Sequence, residues 1–418
     1  MAIFHQSAST SEIVGALDIG TSKICCVIAA IDRGQPVLLG LGHQRARGLK
    51  SGMIVDADEA ERAVRSAVAQ AERMAGISLD SIVVSVSCGR IRSTSFVARA
   101  PLDGPVVRET DIERILSGGE AYLDRSGRTV IQLMRSDWRL DSAAGIADPR
   151  GLAGRELAID LTAVTADDGP VRNLLGIIER SHMIAERLVA APYASAIAVT
   201  TEDERRLGTL VVEIGAGLTS LAGFVDGRLT YIDSVPVGGN HVTYDIAREL
   251  VTTVPEAERI KTLYGTLVKA ASNENEIFAY PVSGEEDGAT HQVSKAFVRE
   301  VIKPRIDGLI DLVLERLAES GMADALRRRV VLTGGASQIL GLDQAWSEGV
   351  GAMTRIGRPQ PIGRMSASMC SPALSTVIGM VACAGDPALA SGAMGASEHG
   401  RRERGYVDRM HRWIRESF

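Results

Sequence analysis

The chain has 418 residues, of which 45% are hydrophobic and 23% charged, and this ordinary globular composition excludes a mainly disordered protein. The formal net charge of −6 argues against a generally basic nucleic-acid binder, so no nucleic-acid partner is expected. The longest apolar runs, residues 24–31 and 376–385, are shorter than the roughly 20 residues that a membrane-spanning helix needs.

The first part of the chain predicts a series of strands followed by a helix. Residues 1–12 are expected to be a loose leader, and they lack the charged start and apolar stretch of a signal peptide. Three strands are predicted at residues 13–18, 24–31 and 36–41. Residues 56–75 keep an apolar period of 3.6 residues, which predicts a helix that Gly76 can end.

Strands and helices alternate through the rest of the chain. Apolar patterns predict strands at residues 81–87, 129–134, 156–165, 207–214, 218–225, 228–235 and 329–333. Helical periods are found at residues 110–124, 171–189, 240–251 and 297–317. The last strand runs into Gly334-Gly335, after which another helix is expected.

Two stretches nearly 200 residues apart, LDIGTSKICCVI and VEIGAGLTSLAGF, have the same pattern of strand, acidic residue, glycine turn and strand. Backbone N–H groups of glycine-rich turns can cradle phosphates. The carboxylates of Asp18 and Glu213 can hold Mg²⁺ directly or through water, and Lys23 offers a positive charge to a terminal phosphate. One such turn is more often a structural hairpin, but two matched copies favour a shared phosphate site.

The sequence also argues against several other kinds of site. The P-loop pattern GxxxxGK[ST] is absent from it, whereas VVLTGGASQILGL could place a flat group against bare glycine backbone. The five cysteines form no CxxC pair, which is typical of a reduced, cytoplasmic protein. The seven histidines form no close cluster, so a zinc site is not expected.

A family resemblance rests on several motifs spread along almost the whole chain. The stretches LDIGTSK, PRGLAGRELAIDLTAVTAD, VPVGGNHVTYDIA, VLTGGASQILGL and HRWIRESF together resemble the FtsA family of bacterial cell-division proteins, within the actin, Hsp70 and sugar-kinase superfamily. The resemblance implies an α/β, actin-like (ribonuclease H-like) two-lobed fold with an inserted 1C subdomain of the SHS2 type and a C-terminal amphipathic helix. It also implies ATP and Mg²⁺ as ligands.

The resemblance also implies a division of the chain into subdomains. Subdomain 1A would comprise residues 13–84, 166–200 and 359–383, with the inserted subdomain 1C at 85–165. Subdomain 2A would comprise residues 201–239 and 321–358, with subdomain 2B at 240–320. Residues 384–400 are rich in Gly, Ala and Ser and are predicted to be a flexible linker before residues 401–418.

The same resemblance implies which residues bind the nucleotide. The first phosphate loop would consist of Asp18, Gly20, Thr21, Ser22 and Lys23. The second would consist of Glu213, Gly215, Gly217 and Thr219. Other residues near the nucleotide would be Gly239 and Asn240 beside it, Glu258 and Lys261 near the ribose and base, and Gly334, Gly335 and Ala336 around the adenosine. Asp18 and Glu213 would hold Mg²⁺, directly or through water, and Glu213 is the candidate catalytic residue.

Two departures from the family pattern bear on hydrolysis. The second loop of the family usually begins with Asp, whereas Glu213 is one methylene longer and would shift the carboxylate by roughly an ångström. The stretch LVAAPYASA has no acidic or Gln residue at the place where related ATPases often orient the attacking water. We therefore expect ATP binding with weak or absent hydrolysis.

The C-terminal 18 residues predict a membrane-targeting helix. On a helix, Tyr406, Met410, Trp413, Ile414 and Phe418 share one face. Basic residues beside an aromatic, apolar face are typical of a helix that lies in an anionic membrane surface. The predicted membrane-binding residues are Arg409, Met410, Arg412, Trp413, Ile414, Arg415 and Phe418. Packing on the protein's own domain and binding to a partner groove are the alternatives.

The resemblance finally implies a function. Such a protein would lie on the cytoplasmic face of the inner membrane at the division septum as a peripheral protein, bind anionic lipid, form filaments with other subunits, anchor FtsZ filaments and recruit later divisome membrane proteins. Candidate contacts for the acidic C-terminal peptide of FtsZ are Arg299, Lys303 and Arg305. The alternatives are an actin homologue of the pilus-assembly type and a small-molecule kinase on the same fold.

Overall fold

The computed structural model describes residues 12–124, 127–269, 276–284, 289–386 and 389. The predicted leader up to residue 11, most of the predicted linker and the predicted membrane helix lie outside the described residues. Among those described, no helix combines the length and the apolar composition required to cross a membrane.

The strands and helices are numbered here in chain order. The strands are β1 (Glu12–Ile19), β2 (Lys23–Asp32), β3 (Gln35–Arg45), β4 (Leu49–Lys50), β5 (Met53–Ile54), β6 (Ser81–Val86), β7 (Arg92–Pro101), β8 (Arg128–Leu140), β9 (Ala143–Ile146), β10 (Glu156–Asp167), β11 (Ile184–Ala190), β12 (Thr209–Ile214), β13 (Thr219–Val225), β14 (Arg228–Val235), β15 (Ile277–Pro281), β16 (Thr290–Ser294), β17 (Arg329–Thr333) and β18 (Met353–Ile356). The helices are α1 (Ala57–Ala75), α2 (Glu109–Asp124), α3 (Asp168–Arg180), α4 (Ala191–Val199), α5 (Glu202–Arg206), α6 (Gly239–Glu249), α7 (Val254–Tyr264), α8 (Lys295–Ser320), α9 (Ala323–Leu326), α10 (Leu342–Val350) and α11 (Ser375–Gly385).

Two lobes are built on five-stranded sheets of the same topology. The sheet of the first lobe has the order β11-β6-β1-β2-β3, and that of the second has the order β18-β17-β12-β13-β14. In each lobe three antiparallel strands follow one another, and two later strands run parallel to the first of them. The repeated sequence pattern therefore corresponds to a repeated hairpin at the start of each lobe.

Helix α1 packs closely on the sheet of the first lobe. Asp56 caps its N-terminus by accepting a hydrogen bond from the N–H of Glu59 (3.0 Å), and Gly76 ends it in the left-handed region. A Cβ at Gly42 of β3 would overlap the backbone carbonyl of Ala67, so only glycine lets the helix and strand approach this closely.

A separate four-stranded sheet, ordered β7-β10-β8-β9, is inserted between β6 and α3. Its core is formed with α2 and includes the buried residues Leu133, Leu157 and Leu161. The insertion also contacts the second lobe, because the N–H of Ile232 in β14 donates to the hydroxyl of Ser93 (2.8 Å). The insertion thus touches both lobes.

Helices α4 and α11 cross between the two lobes. A Cβ at Gly379 would overlap the carbonyl oxygen of Ala194, so the two helices are in backbone contact at this crossing. Every residue of α4 is buried. Small residues at this crossing therefore allow the two helices to lie side by side.

The structure corrects one predicted helix. The helix predicted over residues 171–189 ends at Arg180, and the following residues form β11, which pairs in parallel with β6. A short apolar run that is buried on both faces fits a helix or a strand by periodicity alone. The chain reverses between the two elements at His182, which has a φ of 60°. A 3-10 turn also separates Gly334 from α10.

Candidate functional site

The two glycine turns have the same backbone geometry. In the first, the N–H of Gly20 donates to the carbonyl of Lys23, and in the second the N–H of Gly215 donates to the carbonyl of Leu218, both at 3.0 Å. They meet where the two lobes face each other, at a junction called the cleft below, because a Cβ at Gly217 would lie 2.7 Å from Oγ1 of Thr21. The structure thus brings the two predicted phosphate loops together.

The two carboxylates of the site are held by hydroxyl groups. Asp18 accepts a hydrogen bond from Ser85 (2.7 Å), and burial raises the pKa of Asp18. Glu213 accepts hydrogen bonds from Ser195 in α4 (3.1 Å) and Thr376 in α11 (2.5 Å). Burial, opposed by the Thr376 hydrogen bond and reinforced by the charge of Asp18, raises the pKa of Glu213 to about 7. Glu213 is therefore tied to the interlobe helices.

Lys23 places a cation near the carboxyls of Asp18 and Glu213. Its Nζ atom is buried and has no hydrogen-bond partner among the described residues. Its charge counteracts the effect of burial on the pKa values of Asp18 and Glu213, so it lies near both carboxyls. A buried ammonium without a hydrogen bond is unfavourable, and a phosphate oxygen would satisfy it. The matching position in the second turn is Leu218, so only the first turn supplies a cation.

The donor set fits a magnesium ion that arrives with phosphates. Across the described ranges, no group of three or more His, Cys, Asp or Glu side chains could hold a metal ion. The carboxylates of Asp18 and Glu213 form only a pair. Magnesium is commonly held by one or two carboxylates together with substrate phosphates and water. The pair is therefore suited to a metal ion bound jointly by protein and nucleotide.

Helix α6 begins directly against the second glycine turn. The N–H of Gly239 donates to the carbonyl of Gly215 (2.9 Å), and the N–H of Asn240 donates to that of Ala216 (2.8 Å). The hydroxyl of Thr219 donates to the backbone carbonyl of the loop before α6 (2.8 Å). The N-terminus of a helix favours anions, so this arrangement adds a positive dipole end to the phosphate region.

The residues predicted near the ribose and base form one polar cluster. Lys261 donates to Glu258 (2.6 Å), to the hydroxyl of Thr243 (2.8 Å) and to the carbonyl of Gly239 (3.2 Å). A Cβ at Gly239 would lie 2.9 Å from the methyl of Ala336. The cluster therefore joins α6 and α7 to the loop that follows β17.

That loop is held against the end of β12. Gly334 has a φ of 86°, and a Cβ there would lie 2.5 Å from the carbonyl oxygen of Ile214. Gly335 begins the following 3-10 turn. All of the predicted nucleotide-site residues from the second lobe thus surround one region, although their role in binding ATP stays a prediction.

The three residues predicted to contact the FtsZ peptide lie on α8 but have different surroundings. Arg299 is buried, whereas Lys303 is half-exposed and pairs with Asp307 (2.5 Å). Arg305 donates two hydrogen bonds to Asp245 of α6 (2.7 and 3.0 Å) and lines a small cavity behind Gly238-Gly239. Their role in partner binding is still a prediction, and the link from Arg305 to α6 is not visible in the sequence.

The raised pKa of Glu213 predicts that stability of the ligand-free protein depends on pH. Between about pH 4.5 and pH 7 the folded state holds a proton on Glu213 that the unfolded state has lost. Stability from this group is therefore complete below about pH 4.5 and is lost as the pH rises through about 7. Glu213→Gln should stabilise the protein more at about pH 8 than at about pH 5, by up to roughly 3 kcal/mol. Urea unfolding at both pH values measures this, and an effect independent of pH would contradict it.

Comparisons with family models and with known protein sequences identify relatives from a single family. A model of "Cell division protein FtsA" matches residues 210–379, and a model of the "SHS2 domain inserted in FTSA" matches residues 88–165. The chain is 34% identical to cell division protein FtsA of Agrobacterium fabrum over 99% of the chain and 96% of that relative. It is 36% identical to cell division protein FtsA of Rhizobium meliloti, over 98% of the chain and 95% of that relative. It is 28% identical to cell division protein FtsA of Escherichia coli K12, over 98% of the chain and 99% of that relative.

Solved structures agree with the architecture. A chain of the PilM-PilN type IV pilus biogenesis complex aligns with a TM-score of 0.62 and 16% identity, covering 90% of this chain and 99% of that one. MreB5 of Spiroplasma citri bound to ADP aligns with a TM-score of 0.51 and 15% identity, covering 88% and 95%. At such identities the likeness concerns the fold alone. The predicted two-lobed, actin-like fold with an SHS2-type insertion is confirmed.

Proposed function

The chain belongs to the FtsA family of cell division proteins, and from this premise we propose that it binds ATP and assembles into filaments on the inner membrane. It would act as a peripheral protein on the cytoplasmic face at the division septum, where it anchors FtsZ filaments and recruits later divisome membrane proteins. Family membership favours this function over pilus assembly and over small-molecule phosphorylation.

The buried ammonium of Lys23 is the observation that carries the proposal of ATP binding. It lies near two carboxyls and belongs to one of two matched glycine turns that touch across the cleft. A polyphosphate between the turns would give Lys23 its missing partner, while backbone N–H groups bind the remaining oxygens. A bound Mg²⁺ would neutralise phosphate charge, and Asp18 and Glu213 would hold it.

The environment of Glu213 supports the proposal that hydrolysis is weak or absent. Both of its carboxylate oxygens already accept hydrogen bonds, from Ser195 and Thr376. A general base must instead reach a water molecule beside the phosphate. Helix α4, which lies next to this carboxylate, contains neither an acidic residue nor a glutamine. ATP would then act mainly as a ligand that stabilises the closed arrangement of the two lobes.

Membrane residence would follow from many weak tails acting together. Each basic residue near an anionic leaflet contributes ~1 kcal/mol, so one tail should bind reversibly. A filament carries many tails and gains avidity without any new contact. In this proposal, ATP binding favours assembly, assembly favours membrane residence, and subdomain 2B holds the acidic peptide of FtsZ near the surface.

A calorimetric titration of the full chain with ATP and Mg²⁺ tests the central step. We expect saturable uptake close to one nucleotide per chain, because the two matched turns face a single shared site. A parallel titration with ADP measures how much the terminal phosphate of ATP contributes to the affinity. Absence of uptake by protein whose circular dichroism confirms folding would contradict the proposal.

A further inference from the structure

Three cations lie just outside the predicted phosphate loops, in the segment of residues 45–50. They are Arg45 at the end of β3, Arg47 in the following loop and Lys50 at the end of β4. All three are exposed. Within the described part of the chain, none of their side chains forms an ion pair or hydrogen bond. Their charges are therefore available to a ligand in solution.

Arg45 lies directly beside Lys23. The two residues are opposite each other in the antiparallel pairing of β2 with β3. Side chains of directly opposed residues project from the same face of a sheet, with Cβ atoms about 5 Å apart. The next residue, Ala46, donates its N–H to the carbonyl of Ser22 (2.9 Å), so this segment is fastened to the first phosphate turn. Arg45 thus places an exposed cation next to the buried one.

The short hairpin of β4 and β5 brings Lys50 to the same place. At its tip, the N–H of Gly52 donates to the hydroxyl of Thr21 in the first phosphate turn (2.9 Å). On the other lobe, a Cβ at Gly217 would lie 2.9 Å from the Cα of Ser51. The tip therefore touches both phosphate turns, and Lys50 directly precedes it.

The acidic residues that follow this segment along the chain form no ion pair with it. The next two acidic residues along the chain have other partners, because Asp56 caps α1 and Asp58 pairs with Arg180. The protein as a whole carries a net charge of −6, which repels a polyanion at long range. A local patch of unpaired cations at the mouth of the site would reverse this repulsion for an approaching nucleotide.

We propose that Arg45, Arg47 and Lys50 form a cationic approach, a surface that captures the polyphosphate of a nucleotide and guides it to Lys23. The proposal rests on the proposed function, because it assumes that the cleft binds a nucleotide. Exposed charges act mainly on the rate of association and its salt dependence, whereas buried partners set the final affinity. Removing charges of the cationic approach should therefore change mainly the rate of association, whereas removing the charge of Lys23 should change mainly the affinity.

Stopped-flow binding of a fluorescent ATP analogue with Mg²⁺ tests the proposal. At about 0.01 M ionic strength, where the Debye length is about 30 Å, Arg45→Gln/Arg47→Gln should slow association by roughly tenfold. At about 1 M, where that length is about 3 Å, the variant should approach the wild type. Adding Lys50→Gln should slow the low-salt rate further.

A matched control changes net charge equally at a remote place. Arg327 and Arg328 are exposed in the turn before β17, whereas the nucleotide region lies at the other end of that strand. Arg327→Gln/Arg328→Gln should slow association clearly less than Arg45→Gln/Arg47→Gln at the same ionic strength, because its charges lie a whole strand away from the nucleotide region rather than beside it. Thermal melting of both double variants checks that neither is unfolded.

The outcomes separate this proposal from the function on which it rests. If the wild type binds the analogue and the two double variants associate equally fast at low ionic strength, the cationic approach is wrong and ATP binding stands. If the wild type binds no nucleotide, both proposals fail. If Arg45→Gln/Arg47→Gln leaves association unchanged but weakens sedimentation with phosphatidylglycerol vesicles, the segment contacts lipid and the proposal is overturned.

Discussion

Lys23→Met should reduce the affinity for ATP by at least about 100-fold while leaving the ligand-free protein no less stable than the wild type. The Nζ atom of Lys23 is buried without a hydrogen-bond partner among the described residues, and the cost of burying it offsets its attraction to Asp18 and Glu213, so the folded protein alone gains little from this charge. A charge-assisted hydrogen bond to phosphate contributes about 1.5–3 kcal/mol, and Coulomb attraction at a partly buried site adds to it. Calorimetry for affinity and urea unfolding for stability measure the two effects.

The second glycine turn offers the matched control. Leu218 occupies the position equivalent to Lys23, and Leu218→Met puts the same side chain there without removing a charge. It should change ATP affinity by less than about threefold, because a volume-conserving apolar exchange has a small effect. Equal losses in both variants would mean that packing at the turns, rather than the ammonium, sets the affinity. Unchanged binding by Lys23→Met would place the phosphates elsewhere.

The duplicated hairpins have the same backbone but different chemistry. In the first lobe, Asp18 has one hydroxyl partner, Ser85, and the turn supplies the ammonium of Lys23. In the second lobe, Glu213 reaches two hydroxyls on helices that cross between the lobes. The first turn is therefore suited to bind charge, and the second to link the position of the phosphates with that of the interlobe helices.

Local patterns in the sequence were sufficient to predict the repeated turns and several elements. Gly76 ends α1 as expected, because this signal acts within one turn of the helix. The strand β11 was missed because LVAA fits a helix as well as a strand when both faces are buried. Pairing with β6, which is distant in sequence, decides between the two.

The hydroxyls around the carboxylates could not be predicted for a related reason. Ser85, Ser195 and Thr376 come from three elements far apart in the chain, and a serine or threonine in an apolar stretch carries no local mark of its partner. The tight approach of α11 to α4 brings two of them to Glu213. Only the three-dimensional packing thus explains how the longer side chain of Glu213 is accommodated.

Truncation to residues 1–404 should abolish sedimentation with anionic vesicles, provided that the C-terminal residues form the predicted membrane helix. That helix would combine basic residues, each worth ~1 kcal/mol near an anionic leaflet, with an apolar face worth ~25 cal/mol per Å² buried. The two contributions can be separated. Trp413→Ser should weaken binding to neutral and anionic vesicles alike, whereas Arg412→Gln/Arg415→Gln should weaken binding to anionic vesicles alone.

Ionic strength provides the decisive control for this separation. Raising it should release Trp413→Ser from anionic vesicles at lower salt than the wild type, because with a smaller apolar face a larger share of the binding is electrostatic. The binding of the arginine variant should be less sensitive to salt than that of the wild type, since its apolar face is intact and fewer basic residues remain. Equal sedimentation of the full chain and the truncated chain would contradict a membrane-binding tail. A truncated chain that still binds ATP and forms filaments, but sediments to the same extent with and without vesicles, would locate membrane attachment in residues 405–418 and assembly in the two-lobed body.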